Sequence, residues 1–282
     1  MSKILIVGAN GFIGKEVLSY FKDGAIGIDL VSDKNILAVD ITKNEEIEKI
    51  FAENDISSCI DFAGLSLPLV CEEKQDLAYK INVLGQKNIL EVCSKYGVEY
   101  YYSSTTRVYD ASVGTVDEKS KVSFTNYYTQ TKILAEKQIK EFYDLGKLKK
   151  AVILRFSNAY GIDSNKDRLI PTIISSLKKG EITLTNANTK FDLLYLKDIP
   201  KVIELIMGKT KDFEIFNIVS GEQLTMRDIA TKIFFKLNNK SKIIIKDENE
   251  IIHPVVLMKK ISGLGFVPTK FDEAIDEIID FY

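Results

Sequence analysis

The sequence is poor in the residues that build metal centres and disulfide frameworks. Its 282 residues include a single histidine, His253, and three cysteines, Cys59, Cys71 and Cys93. One histidine excludes a histidine-based metal cluster and weakens any Ser/His/Asp triad, so His253 reads as a surface or packing residue. An odd, scattered set of cysteines argues against a disulfide framework and against a zinc site. No metal is expected. Charge of one sign is also lacking: 38 Lys and Arg face 40 Asp and Glu, a net −2. No global electrostatic case for nucleic acid or an anionic membrane exists. No segment approaches the ~20 uncharged apolar residues of a membrane span. The first apolar run ends at Gly8, too short for a signal-peptide core. A soluble, cytoplasmic protein is expected.

What is present is ample core. The chain is 45% hydrophobic and 28% charged, enough for one large domain or a large one with a lobe. Lys3 to Val7 (KILIV) is a continuous apolar run, the mark of a strand buried on both faces. Further strands are expected at Ala25–Leu30, Ile36–Val39, Ser58–Phe62, Glu99–Ser103 and Ala151–Phe156. Helical spacing fills the gaps between them. Thr42 and Glu45 form a capping-box pattern before Ile47, Ile50 and Phe51. Gln75–Cys93 reads as one long helix, and Asn126–Tyr143 as another. Alternating strands and helices predict an α/β fold, a doubly wound, mostly parallel sheet. After Gly161 the rhythm changes. Residues 1–161, with a return at about 191–219, are expected to form the sheet domain. Residues of about 162–190 and 220–282 are expected to form a smaller α/β lobe.

Gly8-Ala9-Asn10-Gly11-Phe12-Ile13-Gly14 opens a helix directly after the first strand. Gly8 and Gly11 suit a tight turn that lets the backbone approach a pyrophosphate, and Gly14 suits close helix packing. Asp29 closes the second strand, where a carboxylate can accept both ribose hydroxyls of an adenosine. The same carboxylate repels a 2′-phosphate, which favours NAD(H) over NADP(H). Asp40-Ile41 follows the third strand. It serves either the adenine amino group or plain helix capping. Tyr128 and Lys132 stand four residues apart, on one helix face. An ammonium beside a phenol lowers the phenol's pKa, so the pair is suited to proton exchange with a hydroxyl. Ser103 to Thr105 lie at the end of a strand, where open α/β sheets place ligands.

These motifs together resemble the extended short-chain dehydrogenase/reductases, the NAD-dependent epimerase/dehydratase family of nucleotide-sugar enzymes. The resemblance also takes in Asp61-Phe62-Ala63-Gly64, Asn82-Val83-Leu84-Gly85, Ser103 through Tyr109, Leu154 through Gly161 and Asn217 through Gly221. It implies that Tyr128 is the general acid/base, that Lys132 is its electrostatic partner and a ribose ligand, and that Thr105 holds the reacting oxygen. It places Phe62, Ala63, Gly64 and Ser103 beside the cofactor, and Asn158 beside the substrate. It implies a homodimer built on Gln75–Cys93 and Asn126–Tyr143.

Two departures narrow the reaction. Family dehydratases place an Asp-Glu pair after the catalytic threonine, and here those positions are Thr106 and Arg107. An arginine that pairs with the substrate diphosphate is replaced by Phe191, leaving Arg168, Lys166, Lys190 and Lys259 as candidate cations. The expected activity is a 4-ketoreductase of a nucleotide-activated (deoxy)sugar. A 4-epimerase with tightly bound NAD, a reductase of a non-nucleotide carbonyl and a non-catalytic dinucleotide sensor are the alternatives.

Overall fold

Seven parallel strands form the central sheet of the computed structural model, which describes residues 2–164, 166–238 and 240–282. Asn165, inside the polar stretch Asp163–Asp167, lies outside the described residues. In chain order the strands are β1 (Lys3–Val7), β2 (Ala25–Asp29), β3 (Ile36–Ala38), β4 (Ile56–Asp61), β5 (Glu99–Thr105), β6 (Ala151–Phe156) and β7 (Phe213–Ile218). Their spatial order is β7-β6-β5-β4-β1-β2-β3. The order reverses beside β1, which opens a crevice at the carboxyl ends of β1 and β4.

Side chains on a strand alternate between faces, and both faces of this sheet are covered. Leu5 and Val7 belong to one buried cluster with Ile47, Ile89 and Ile139. Ile6 belongs to the other, with Val17, Ile199, Ile203 and Ile206. This explains why β1 and β6 read as unbroken apolar runs. β5 differs, since Tyr100, Tyr101 and Tyr102 are all buried in it. Paired with β6 as far as Thr105↔Phe156, β5 runs two residues beyond the expected end. Ser104 and Thr105 therefore sit on the strand itself.

Two helical expectations need correction. The helix after β3 runs Asn44–Glu53, with Lys43 rather than Thr42 at its N-cap. Asp40 explains the shift. Its Oδ1 accepts both the Thr42 backbone N–H (3.0 Å) and the Thr42 hydroxyl (2.8 Å), which ties the Thr42 side chain back to Asp40. Glu46, not Glu45, reaches back, and accepts from the Asp40 N–H at 2.8 Å. The expected long helix is also not uniform. It comprises Gln75–Tyr79, a π-helical turn at Lys80–Gly85, and Gln86–Tyr96, preceded by a separate short helix at Pro68–Glu73.

Beyond β6, a third buried cluster gathers Ile173, Ile174 and Leu177 with Ile229, Ile233, Phe271, Ile275 and Ile278. Its helices are Leu169–Lys178, Met226–Leu237 and Phe271–Phe281. The capping box at Thr225 forms as its sequence suggests, with Thr225 Oγ1 accepting from the Asp228 N–H and Asp228 Oδ2 accepting from the Thr225 N–H. Strand Lys190–Tyr195 pairs with Asn158–Tyr160 and with Gln223–Thr225, which ties this layer to the end of the sheet.

Candidate active site

A cavity of about 470 Å³ opens at the carboxyl ends of β1, β4, β5 and β6 and is closed on its far side by the start of helix Leu169–Lys178. One end is made of backbone. Gly8, Gly11, Phe12, Ile13 and Gly14 line it, with Phe62 and Gly64 opposite. Gly8 has φ +76°, and a Cβ there would meet the backbone of Phe62 and Ala63 at 2.8–3.0 Å. A Cβ on Gly14 would lie 2.1 Å from the Gly8 carbonyl oxygen. Only glycine fits either position. The helix Phe12–Phe21 begins at this turn and carries no side-chain cap, so its first amides face the cavity end.

Asp29 lies behind the turn. Its Oδ2 accepts from the Asn10 N–H at 2.9 Å and its Oδ1 from the Leu30 N–H at 2.7 Å, which holds the carboxylate at the β2 end. Asn10 also donates through its side chain to the Val31 carbonyl. Asn10, Asp29, Asp40, Ile41 and Ala63 do not line the cavity itself. Asp40 binds Thr42, and Ile41 is a core residue whose carbonyl accepts from Asn88 at 2.9 Å. Ala63 donates its N–H to Asp61 Oδ1 at 2.9 Å.

The reacting end is made of side chains. Thr105, Tyr128, Lys132, Ser103 and Ser104 line it together. Asn126 caps the helix Tyr127–Asp144 through a capping box with Thr129, which fixes Tyr128 in the first turn. Burial pushes the Tyr128 phenol up to about 12, opposed first by Arg107 and then by a hydrogen bond from Thr105. Lys132 does not supply that opposition. Its Nζ donates to the Ser103 carbonyl at 2.7 Å and sits 4.6 Å from the centre of the Tyr102 ring. The expectation that Lys132 lowers the tyrosine is therefore corrected, because the ammonium is turned toward the β5 backbone. Burial lowers Lys132 itself to about 8, against the raising influence of Asp61 and Glu136. Asp61, fully enclosed, is held up to about 6 by burial, although Tyr100 donates to its Oδ2 at 2.7 Å.

Several contributors escaped the sequence reading. Glu136 lies one turn past Lys132 and is buried with Arg155 in a bidentate pair, Nε–Oε1 3.0 Å and Nη2–Oε2 2.6 Å. Ser104 donates to the same carboxylate at 2.5 Å. Arg155 also donates to the Tyr109 hydroxyl, which in turn donates to Asn217. The i, i+4 continuation Tyr128–Lys132–Glu136 was the available signal. Arg107 was noticed only as a missing acid, yet it lines the cavity. Asn82 proves structural: its Oδ1 accepts from the Leu65 N–H at 2.8 Å, and its Nδ2 donates to the Leu65 carbonyl and to Thr131 Oγ1, both at 3.0 Å.

Asn158, Phe191 and Arg168 also line the cavity. Of the four candidate cations only Arg168 does so among the described residues, and Lys190 pairs instead with Glu250 at 3.7 Å. His253 packs against Phe191, ring centres 6.4 Å apart, and burial lowers its pKa. Among the described residues no group of His, Cys, Asp and Glu is placed to hold a metal, and no helix is long and apolar enough to cross a membrane.

A doubly wound sheet, a glycine turn at its switch point and a Thr–Tyr–Lys cluster beside that turn define a dinucleotide-dependent oxidoreductase scaffold. The profile of the NAD dependent epimerase/dehydratase family matches residues 4–219, and the chain belongs to that family. NAD(H) is the cofactor of that family, and the glycine cradle and the Asp29 carboxylate fit it. Among curated proteins the chain is 29% identical over 270 residues to dTDP-D-glucose 4,6-dehydratase of Dictyostelium discoideum, covering 83% of this chain and 62% of that one. It is 23% identical over 254 residues to the Escherichia coli O157:H7 N-acetyl-alpha-D-glucosaminyl-diphospho-ditrans,octacis-undecaprenol 4-epimerase, covering 84% and 73%. The solved Thermotoga maritima UDP-glucose 4-epimerase with UDP-glucose superposes with a TM-score of 0.90 at 21% identity, over 99% of this chain and 98% of that one. At that identity the structure speaks for the fold.

Proposed function

We propose that the protein transfers a hydride at C4 of a nucleotide-activated (deoxy)sugar, as a 4-ketoreductase. The observation that carries this reading is the convergence of Thr105, Tyr128 and Lys132 beside the glycine turn in one cavity. Bound NAD(H) supplies the hydride. Tyr128 is protonated at neutral pH, as its raised pKa requires, and donates its proton to the carbonyl oxygen as that oxygen gains charge. The Thr105 hydroxyl holds the same oxygen. Lys132 sits on the β5 carbonyl, where its charge steadies the cofactor ribose, and Arg107 and Thr105 favour the developing phenolate. Arg168 pairs with the substrate diphosphate and Asn158 takes a sugar oxygen. Residues of about 162–190 and 220–282 cover the sugar. Two copies associate through Gln75–Cys93 and Asn126–Tyr143.

The second reading is a 4-epimerase, which the epimerases among the similar proteins favour. Elimination of water is disfavoured, because Arg107 and Thr106 offer no carboxylate to take the C5 proton. A reductase consumes one NADH per sugar; an epimerase retains its cofactor and turns over without added NADH. Tyr128→Phe is expected to lower turnover by about 10²–10⁴ while NAD(H) affinity stays within twofold of wild type, roughly 0.4 kcal/mol. Unchanged turnover in that variant would sink both readings.

A further inference from the structure

The chain has four arginines, and among the described residues two of them enter an ion pair with a carboxylate. Arg155 meets Glu136 and Arg227 meets Glu248. Among the described residues Arg107 and Arg168 enter no ion pair, and both line the cavity. Among the described residues Asp167 is the only acidic one in that lining, and it is the chain neighbour of Arg168. An exposed guanidinium is well solvated by water. Once substrate covers it, that solvation is lost and a negative charge must replace it.

The two arginines are carried by different elements, and both favour the Tyr128 phenolate. Arg168 is the N-cap of helix Leu169–Lys178, on the lobe side. Arg107 belongs to the reacting end. Its backbone N–H donates to Thr105 Oγ1 at 3.2 Å, so it is fixed to the residue that holds the reacting oxygen. Its side chain donates from Nη2 to Asn158 Oδ1 at 3.2 Å, a neutral partner that steers the guanidinium along the cavity wall without neutralising it. Arg107 also ranks ahead of Arg168 among the groups that favour the Tyr128 phenolate. One arginine suffices for a diphosphate, the role assigned above to Arg168 on the lobe. The other faces what the substrate carries next to the reacting carbon. A guanidinium fork matches a planar carboxylate with two parallel hydrogen bonds, and a hydroxymethyl group offers no such match.

We infer that Arg107 is a specificity-determining residue that reads a carboxylate beside the reacting carbon, so that the substrate class is a nucleotide-activated sugar acid. This rests on the nucleotide-sugar reading of the site. The test uses calorimetry on the full NAD-loaded protein. UDP, dTDP and GDP are titrated first. UDP-glucuronic acid and UDP-glucose follow, or the same pair on dTDP or GDP if that nucleotide binds tighter. Each pair differs only in the carboxylate. The acid is expected to bind about ten- to a hundredfold tighter, the range of hydrogen bonds to charged groups. Arg107→Met is expected to bring the acid-to-neutral ratio to near one, and Arg107→Lys to leave an intermediate ratio, since charge remains without the fork. Arg168→Met is expected to weaken both sugars and keep the ratio. NAD(H) binding by each variant reports that it is folded; should Arg107→Met fail that check, Arg107→Lys carries the comparison. Equal affinity for acid and neutral sugar in the wild type overturns the inference. So does an Arg107→Met variant that loses both sugars by the same factor, which makes Arg107 a diphosphate ligand. Failure of every nucleotide and every sugar to bind is a separate result: it removes the nucleotide-sugar reading and the inference with it.

Discussion

The two ends of the cavity are built by different means. The cofactor end is a backbone surface, where Gly8 and Gly14 leave no room for a side chain and the chain geometry itself is the site. The end proposed for the substrate is a side-chain surface on elements that differ in kind: Arg107 after a strand, Asn158 on a short strand, Arg168 at a helix cap, Phe191 on a strand of the second layer. A backbone site tolerates almost no substitution and admits one ligand class. A side-chain site can be re-lettered residue by residue while the fold stands. The contrast explains how one scaffold keeps its cofactor and changes its substrate.

The comparison breaks if the two ends respond alike to substitution. The largest effect is expected from Gly14→Ala. Its Cβ would lie 2.1 Å from the Gly8 oxygen, so the turn must open. We expect a loss of about 3 kcal/mol or more in thermal unfolding, with NAD(H) binding abolished. Next comes Lys132→Met, read as a function of pH without cofactor. The folded lysine titrates near 8, below its ordinary 10.5. Between those values the unfolded chain binds the extra proton, so wild-type stability rises with pH there. Below about 8 the buried ammonium is a full burden. The variant lacks this dependence. The difference between wild type and variant should therefore move in favour of wild type from pH 8 to 10, by about 2 kcal/mol. A flat difference would mean the ammonium is not desolvated. The smallest effect is expected from Arg168→Met, with unchanged unfolding and a KM raised roughly tenfold, about 1.4 kcal/mol. If Arg168→Met unfolded the protein as Gly14→Ala does, the distinction between the two ends would be lost.

What could be read from the sequence follows the same division. The glycine turn, Asp29 and the strand–helix alternation are local patterns in one stretch of chain, and each found its expected place. Tyr128 and Lys132 were legible as a pair on one helix face, but not the direction of the ammonium, which depends on the Ser103 carbonyl 29 residues away. Thr42 looked like a cap until Asp40, two residues earlier, took both of its donors. Glu136 and Arg155 form a buried pair between a helix and a strand, and spacing alone does not pair residues across elements. Arg107 was visible as a letter, but its place on the cavity wall beside Asn158 depends on contacts across elements.

The π-helical turn at Lys80–Gly85 has a consequence for helix phase. An α-helix advances about 100° per residue, so one extra residue within a turn rotates everything after it by that amount. Leu77 and Ala78 before the turn, and Ile89 and Leu90 after it, are thus set out of step with one another. That phase error gives Asn82 its position, aimed sideways at Leu65 and Thr131. Deleting one residue from the turn would restore a uniform helix with better local hydrogen bonding. It would also swing Asn82 away from the Leu65 segment, which carries the wall opposite the glycine turn. The irregular helix is thus the more useful one here, and the uniform helix the defect.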